Sequence, residues 1–276
     1  MAGAASQQGS ALPDGSPSRP TPLRRLDVRR YVTPLREGGS LPAIVEADDD
    51  GLYVLKFRGS GQGPASLVAE LLAGEIARRL GLRVPELVLM TLDPALAMTE
   101  PDPEIQSLIR GSAGLNLALD YLPGAMTFDP IAWPPDPALA SRIVWFDALV
   151  SNVDRTARNV NLLLWHREVW LIDHGAALYV HHDWSSAGAR SRDPFARIRD
   201  HVLLPHASGL AAVDAELSSQ LTPAFLGELV AAVPGEWLAD AGGEARRADY
   251  LRYFVERLAT PREFVEEAIG ARARLL

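Results

Sequence analysis

The chain has 276 residues, of which 47% are hydrophobic and 22% charged, and it carries a formal net charge of −8. That balance suits a soluble globular protein with room for one large domain or two lobes, and it offers neither nucleic acid nor an anionic membrane the basic patch each favours. Cysteine is absent, which excludes disulfides, thiolate metal sites and cysteine nucleophiles; with no long apolar run and no basic segment leading into an apolar core, the expectation is a cytoplasmic protein.

Residues 1 to 24, MAGAASQQGSALPDGSPSRPTPLR, are rich in Ala, Gly, Ser, Pro and Gln without apolar periodicity, and predict a disordered arm. From Leu26 the character changes. Val28, Tyr31 and Val32 open a strand, Arg36-Glu37-Gly38-Gly39-Ser40 makes a turn, and Pro42 to Glu46 resumes extended structure as the second arm of a hairpin. After Asp48-Asp49-Asp50-Gly51, the run Leu52-Tyr53-Val54-Leu55-Lys56-Phe57 reads as a strand that carries Lys56. Ala65 to Leu80 spaces Leu67, Leu71, Ile76 and Leu80 for a helix ending at Gly81, and Val84 to Leu92 is a further strand.

Leu115 to Tyr121 reads as a strand running into the breaker Leu122-Pro123-Gly124, where a lobe boundary is expected. The chain therefore divides into the arm 1–24, a strand-rich lobe 25–122 with one main helix, and a mainly helical lobe 123–276, an α+β organisation. In the second lobe Ala138 to Val150 has a helical pattern. Val160 to Leu164 and Glu168 to Ile172 flank Trp165-His166-Arg167 as a short hairpin, and helical patterns punctuated by proline and glycine fill the rest.

The chemistry concentrates between Leu149 and Ala176. Asp154 and Asn159 are five residues apart, the step of the catalytic pattern H-R-D-x-x-x-x-N, and Asp173-His174-Gly175 resembles the metal-binding D-F-G. A carboxylate that orients a hydroxyl, an amide oxygen for magnesium and a second carboxylate for the same ions are what phosphoryl transfer asks for. Of the 27 basic residues 26 are arginine and one is lysine, Lys56, at the end of Tyr53-Val54-Leu55-Lys56, which resembles the V-A-I-K strand whose lysine contacts nucleotide phosphates. Its carboxylate partner is Glu70 or Glu75 on the following helix. Glu70 is favoured, one turn into the helix, and Glu75 is expected to be a solvated surface charge.

Three further stretches bear on the site. Gly38-Gly39-Ser40 offers backbone N–H groups to phosphates or is an ordinary turn. Asp120-Tyr121-Leu122 offers backbone groups to an adenine at the lobe junction. His181-His182-Asp183 invites a metal reading, but adjacent histidines do not readily share one ion, and a surface or packing role is preferred. Arg155 and Arg158 beside the proposed base would steady a phosphate or the loop, or be plain surface charge.

LVSNVDRTARNVNLLL and WLIDHGAAL, with YVLKF, the helix VAELLAGEIARRLGLRVPEL and the strand-to-breaker LNLALDYLPG, resemble the HipA-like kinases. The resemblance covers roughly Tyr31 to Tyr179. It implies a two-lobed protein-kinase-like fold, ATP and Mg²⁺ as cofactors, and transfer to a serine or threonine hydroxyl of a protein. It supports Asp154 as catalytic base, Asn159 and Asp173 as metal ligands, Lys56 on the phosphates and Glu70 as its partner. The segment Arg36 to Pro42 does not match the phosphate loop of the family's toxin members closely, so toxin function and inhibition by autophosphorylation are not carried over. Two other readings share these residues: a kinase acting on a hydroxylated metabolite or antibiotic, and a nucleotide-binding module without turnover.

Overall fold

In the strand Leu52–Lys56 (β3), Tyr53 and Leu55 are buried while Val54 and Lys56 are partly exposed on the opposite face, the period-two alternation of a strand covered differently on its two sides. A computed structural model describes residues 22–35, 41–61 and 63–275. β3 lies between β2 (Ala43–Ala47) and β5 (Gly114–Asp120), antiparallel to both, and Lys56 stands opposite Leu117. β1 (Arg25–Pro34) pairs antiparallel with β2, and β4 (Leu87–Leu92) pairs antiparallel with β5 and parallel with β1, so the order β1-β2-β3-β5-β4 closes into a barrel. Val45, Tyr53, Leu55, Val88, Met90 and Ala118 share its filling.

The helix α1 (Pro64–Arg79) lies against the barrel, with Leu67, Leu71, Leu72 and Ile76 in one core with Leu87, Leu89, Leu117 and Leu119. It ends as its sequence suggests. Gly81 has φ 74°, its N–H donates to the Arg78 carbonyl at 3.0 Å, and the Leu82 N–H donates to Ala77 at 2.9 Å, a Schellman closure that only a residue tolerant of positive φ completes without strain. The first lobe holds more helix than expected. Between β4 and β5 stands α2 (Pro103–Gly111), whose Asp102 carboxylate accepts from the Glu104 N–H at 2.9 Å and whose Ile105 and Ile109 are buried. An aspartate N-cap, a proline at the first helical position and an i, i+4 apolar pair were its signal.

The arm read over residues 1 to 24 lies mostly outside the described residues. Its last part is not loose, since Arg24 meets Glu86 at 2.9 Å and Asp49 at 2.8 Å, and Leu23 packs on the core. The turn Arg36 to Ser40, with Gly38, Gly39 and Ser40, also lies outside the described residues.

Beyond the linker, β6 (Met126–Thr127) pairs with β7 (Leu162–Trp165), and β7 with β8 (Glu168–Leu171). α3 (Pro137–Leu149) is buried nearly all round, which is why its sequence is apolar on every face. A single turn α4 (Ala187–Arg190) precedes α5 (Leu210–Gln220), α6 (Pro223–Ala231), α7 (Glu244–Leu258) and α8 (Glu263–Ala273), and α3, α5 and α8 pack on one another. Among the described residues no helix is long and apolar enough to cross a membrane.

Because Leu71 is fully buried where α1 meets the barrel, Leu71→Ala is expected to lower unfolding stability by about 2–5 kcal/mol. Urea denaturation checks this, and the loss is expected as a lower midpoint at unchanged slope.

Candidate active site

β3, α1 and the turn after β8 converge on one cluster. Lys56 Nζ is 2.8 Å from Asp173 Oδ1 and 3.9 Å from Glu70 Oε2, so the chain's one lysine bridges carboxylates from two lobes. Burial alone would lower the Lys56 pKa, but Glu70, Asp173 and, more weakly, Asp154 outweigh it, and the ammonium is held above its ordinary range. For Glu70, burial alone would raise the pKa; the Lys56 ammonium and the bonds from His174 overcome this and hold it at about 2. Those bonds come from the His174 backbone N–H to Oε2 at 2.9 Å and the ring Nδ1 to Oε1 at 3.2 Å.

Glu75 is not a solvated surface charge. Its side chain is only 12% exposed, stands 3.5 Å from Arg78, and burial pushes its pKa up. Five residues on a helix turn the side chain about 140° from Glu70, which sets it off the Lys56 side.

The segment between α3 and β7 presents Asp154. The Asn159 and Asn161 side-chain amides both donate to Asp154 Oδ2, at 2.7 and 3.2 Å, and the Asp154 N–H donates to Asn152 Oδ1 at 3.1 Å. Donating through nitrogen leaves the Asn159 amide oxygen as the atom a hard cation would take. Arg155 is buried, not a surface charge: its Nε meets Asp147 Oδ2 at 2.6 Å, and its Nη1 donates to the Asn161 carbonyl and, at 3.4 Å, to the Ile172 carbonyl. It therefore ties the loop to the entrance of β7 and the exit of β8. Arg158 is exposed.

Asp147 and His201 were not singled out by sequence. Asp147 lies inside the apolar run Trp145-Phe146-Asp147-Ala148-Leu149, and an acid at a core position of a buried helix was the available signal. It accepts from Asn152 at 2.8 Å, from Arg155, and from His201 Nε2 at 2.9 Å. Burial would raise its pKa, but Arg155 and His201 hold it far below the carboxylate range. Positive φ angles gather in this region at Ser151 (53°), Asn161 (49°), Asp173 (58°) and Leu178 (54°). Such conformations persist only where surrounding structure enforces them, and they concentrate at functional sites.

At the linker, Asp120 N–H donates to the Glu86 carbonyl at 2.9 Å and Tyr121 N–H to the Leu52 carbonyl at 3.0 Å, while Leu122 is buried. Asp120 and Leu122 line a cleft of about 460 Å³ with Arg83, Glu86, Trp165 and Trp170, and neither Lys56, Asp154 nor Asp173 borders it. His181 is largely buried, and burial followed by the neighbouring His182 lowers its pKa to about 4; Asp183 accepts from the Ser185 N–H at 3.1 Å.

A strand-rich lobe carrying a lysine and a helix glutamate, joined by a linker to a helical lobe carrying paired acids around a hairpin, is a protein-kinase-like fold. The model of the family described as HipA-like kinase matches residues 28–262, and the chain belongs to that family. Among solved structures, the Helicobacter pylori proinflammatory kinase CtkA superposes with a TM-score of 0.53 at 13% identity, over 91% of this chain and 99% of that one. This likeness speaks for the fold. A Golgi casein kinase with Mn/ADP bound gives a TM-score of 0.49 at 13% identity over 92% and 74% of the two chains. No curated protein matches the sequence significantly.

The Glu70 shift carries a pH dependence. Its folded pKa lies near 2, below the ordinary 4.5, so the unfolded chain takes up the proton first and the stability Glu70 contributes falls as pH drops through that interval. The stability gap between the parent and Glu70→Gln is therefore expected to be constant above about pH 5 and to close toward pH 2, measured by urea unfolding of both proteins at matched pH.

Proposed function

We propose that this chain transfers the γ-phosphoryl group of Mg²⁺-bound ATP to a serine or threonine hydroxyl of a protein. The observation that carries the reading is the Lys56–Asp173 contact of 2.8 Å, which joins the phosphate-type lysine of one lobe to the metal-type aspartate of the other. Family membership supports the reaction type, and the family resemblance supports the protein acceptor.

Asp173 and the Asn159 amide oxygen are hard oxygen donors of the kind magnesium takes beside phosphate oxygens, and they are the residues that would hold it. The ion, when bound, neutralises charge on the phosphates. Lys56, kept cationic by its two carboxylates, adds a fixed positive charge where the transferred group is most negative. With Oδ2 of Asp154 held by two amides, Oδ1 is the oxygen that receives the acceptor proton. The acceptor oxygen forms its bond to phosphorus as the bond to the ADP oxygen breaks, and the hydroxyl proton passes to Asp154.

The test is transfer from labelled ATP to protein and small-molecule acceptors in parallel. Asp154→Asn is expected to lower kcat by about 10²–10⁴-fold, in the range of a lost general base, and Asp173→Asn to abolish Mg²⁺-dependent transfer. Either variant working at the parental rate overturns the assignment, and transfer confined to small hydroxylated molecules overturns the protein acceptor. Lys56→Arg keeps the charge but replaces a compact ammonium with a planar fork. It is expected to lose at least about tenfold in kcat, or roughly 1.4 kcal/mol of barrier.

A further inference from the structure

The residue after the metal-type aspartate is a histidine, and the structure gives its ring more than a packing role. His174 is fully buried, edge-on to Phe146 of α3 with ring centroids 5.7 Å apart, and its Nδ1 faces Glu70 Oε1 at 3.2 Å. A carboxylate oxygen accepts, so the hydrogen sits on Nδ1. The other ring nitrogen, Nε2, is buried and has no hydrogen-bond partner among the described residues. A phenyl ring would fill the same space without that desolvation cost, so the imidazole's distinguishing contribution is the bond it makes through Nδ1.

Among the described residues Glu70 receives two hydrogen bonds, and both come from His174: the ring to Oε1 and the backbone N–H to Oε2 at 2.9 Å. The Lys56 ammonium, 3.9 Å away, is an ion-pair partner outside hydrogen-bond range. Lys56 is instead hydrogen-bonded to Asp173 at 2.8 Å.

We propose that His174 is a positioning residue: its Nδ1–H latches Glu70, and with it helix α1, to the Asp173 turn, so that the orientation of α1 relative to the metal-type aspartate is set by His174 and not by the Lys56–Glu70 pair. The proposal rests on the kinase reading for its effect on turnover, but the latch itself is a property of the folded chain.

Three substitutions in the full-length protein separate the latch from packing. His174→Phe keeps an aromatic ring against Phe146 and removes the donor. His174→Asn places an amide N–H where Nδ1 stands, and His174→Gln places one nearer Nε2. With labelled ATP, the Phe and Gln variants are expected to lose about ten- to a hundredfold in kcat, on the scale of one hydrogen bond to a charged group, with KM for ATP within about twofold. The Asn variant is expected to recover to within about threefold of the parent. Thermal unfolding accompanies each measurement, because a packing role ties the loss of kcat to the loss of Tm and places Asn, the smallest side chain, lowest in both. An Asn variant as slow as Phe, or a Phe variant with parental kcat, overturns the proposal.

Should the parent protein transfer no phosphoryl group, the kinase reading fails and the latch is decided by NMR of nitrogen-labelled histidine. A slowly exchanging Nδ1–H signal that disappears in His174→Phe and shifts in Glu70→Gln supports it. A His174 ring carrying its hydrogen on Nε2 overturns it.

Discussion

An ammonium largely withdrawn from water between two lobes needs anionic partners, and the placement of Lys56 between Glu70 and Asp173 is the constraint on which the site depends. Each partner arrives from a different element, so three backbones must be registered to one another. β3 presents Lys56 on its outer face because Tyr53 and Leu55 are committed to the barrel interior. The Schellman end of α1 turns the chain so that the Arg83 carbonyl accepts from the Leu171 N–H at 2.8 Å, fastening the loop after α1 to β8, two residues before Asp173. Glu70 is then carried to the turn by the helix and held there by His174.

The same logic of buried charge fixes the loop that presents Asp154. Asp147 gathers Asn152, Arg155 and His201, and each of these belongs to, or packs on, the loop between α3 and β7. Removing one partner would strand a buried charge, which is costlier than the net worth of the pair. The end of α3 is also held by Arg257, itself buried, whose Nε donates to the Leu149 carbonyl at 2.6 Å and Nη2 to the Ala148 carbonyl at 2.7 Å. Both carbonyls belong to the last turn of the helix, which lacks i+4 N–H partners within the helix, and a cation is the favoured group there. A loop anchored at both ends by buried guanidinium groups is rigid enough to keep Ser151 and Asn161 at positive φ.

Local chemistry was legible in the sequence wherever it is decided within a few residues. The helix before Gly81, the strand ending in Lys56, the hairpin between Asn159 and Asp173 and the family resemblance all rest on short-range periodicity, turn residues or motif spacing. α2 lies in the stretch between Leu92 and Leu115, for which the sequence reading named no element, although Asp102-Pro103 is a helix start. Arg155, beside Asp154 in a polar stretch, carried no mark of burial, since a guanidinium is buried only where a distant acid receives it.

By itself, then, the sequence determined most of the elements, their order and a set of candidate site residues, because backbone preference and side-chain spacing are properties of neighbours along the chain. Only the tertiary structure decided which glutamate of α1 turns toward Lys56, that β1 and β4 close the barrel in parallel, and that Asp147 meets His201, 54 positions further on. It alone made His174 a partner of Glu70, 104 positions earlier. These are pairings of buried polar groups, and such groups are bonded to whatever the packing of apolar surfaces brings within about 3 Å, a distance on which sequence separation has no bearing.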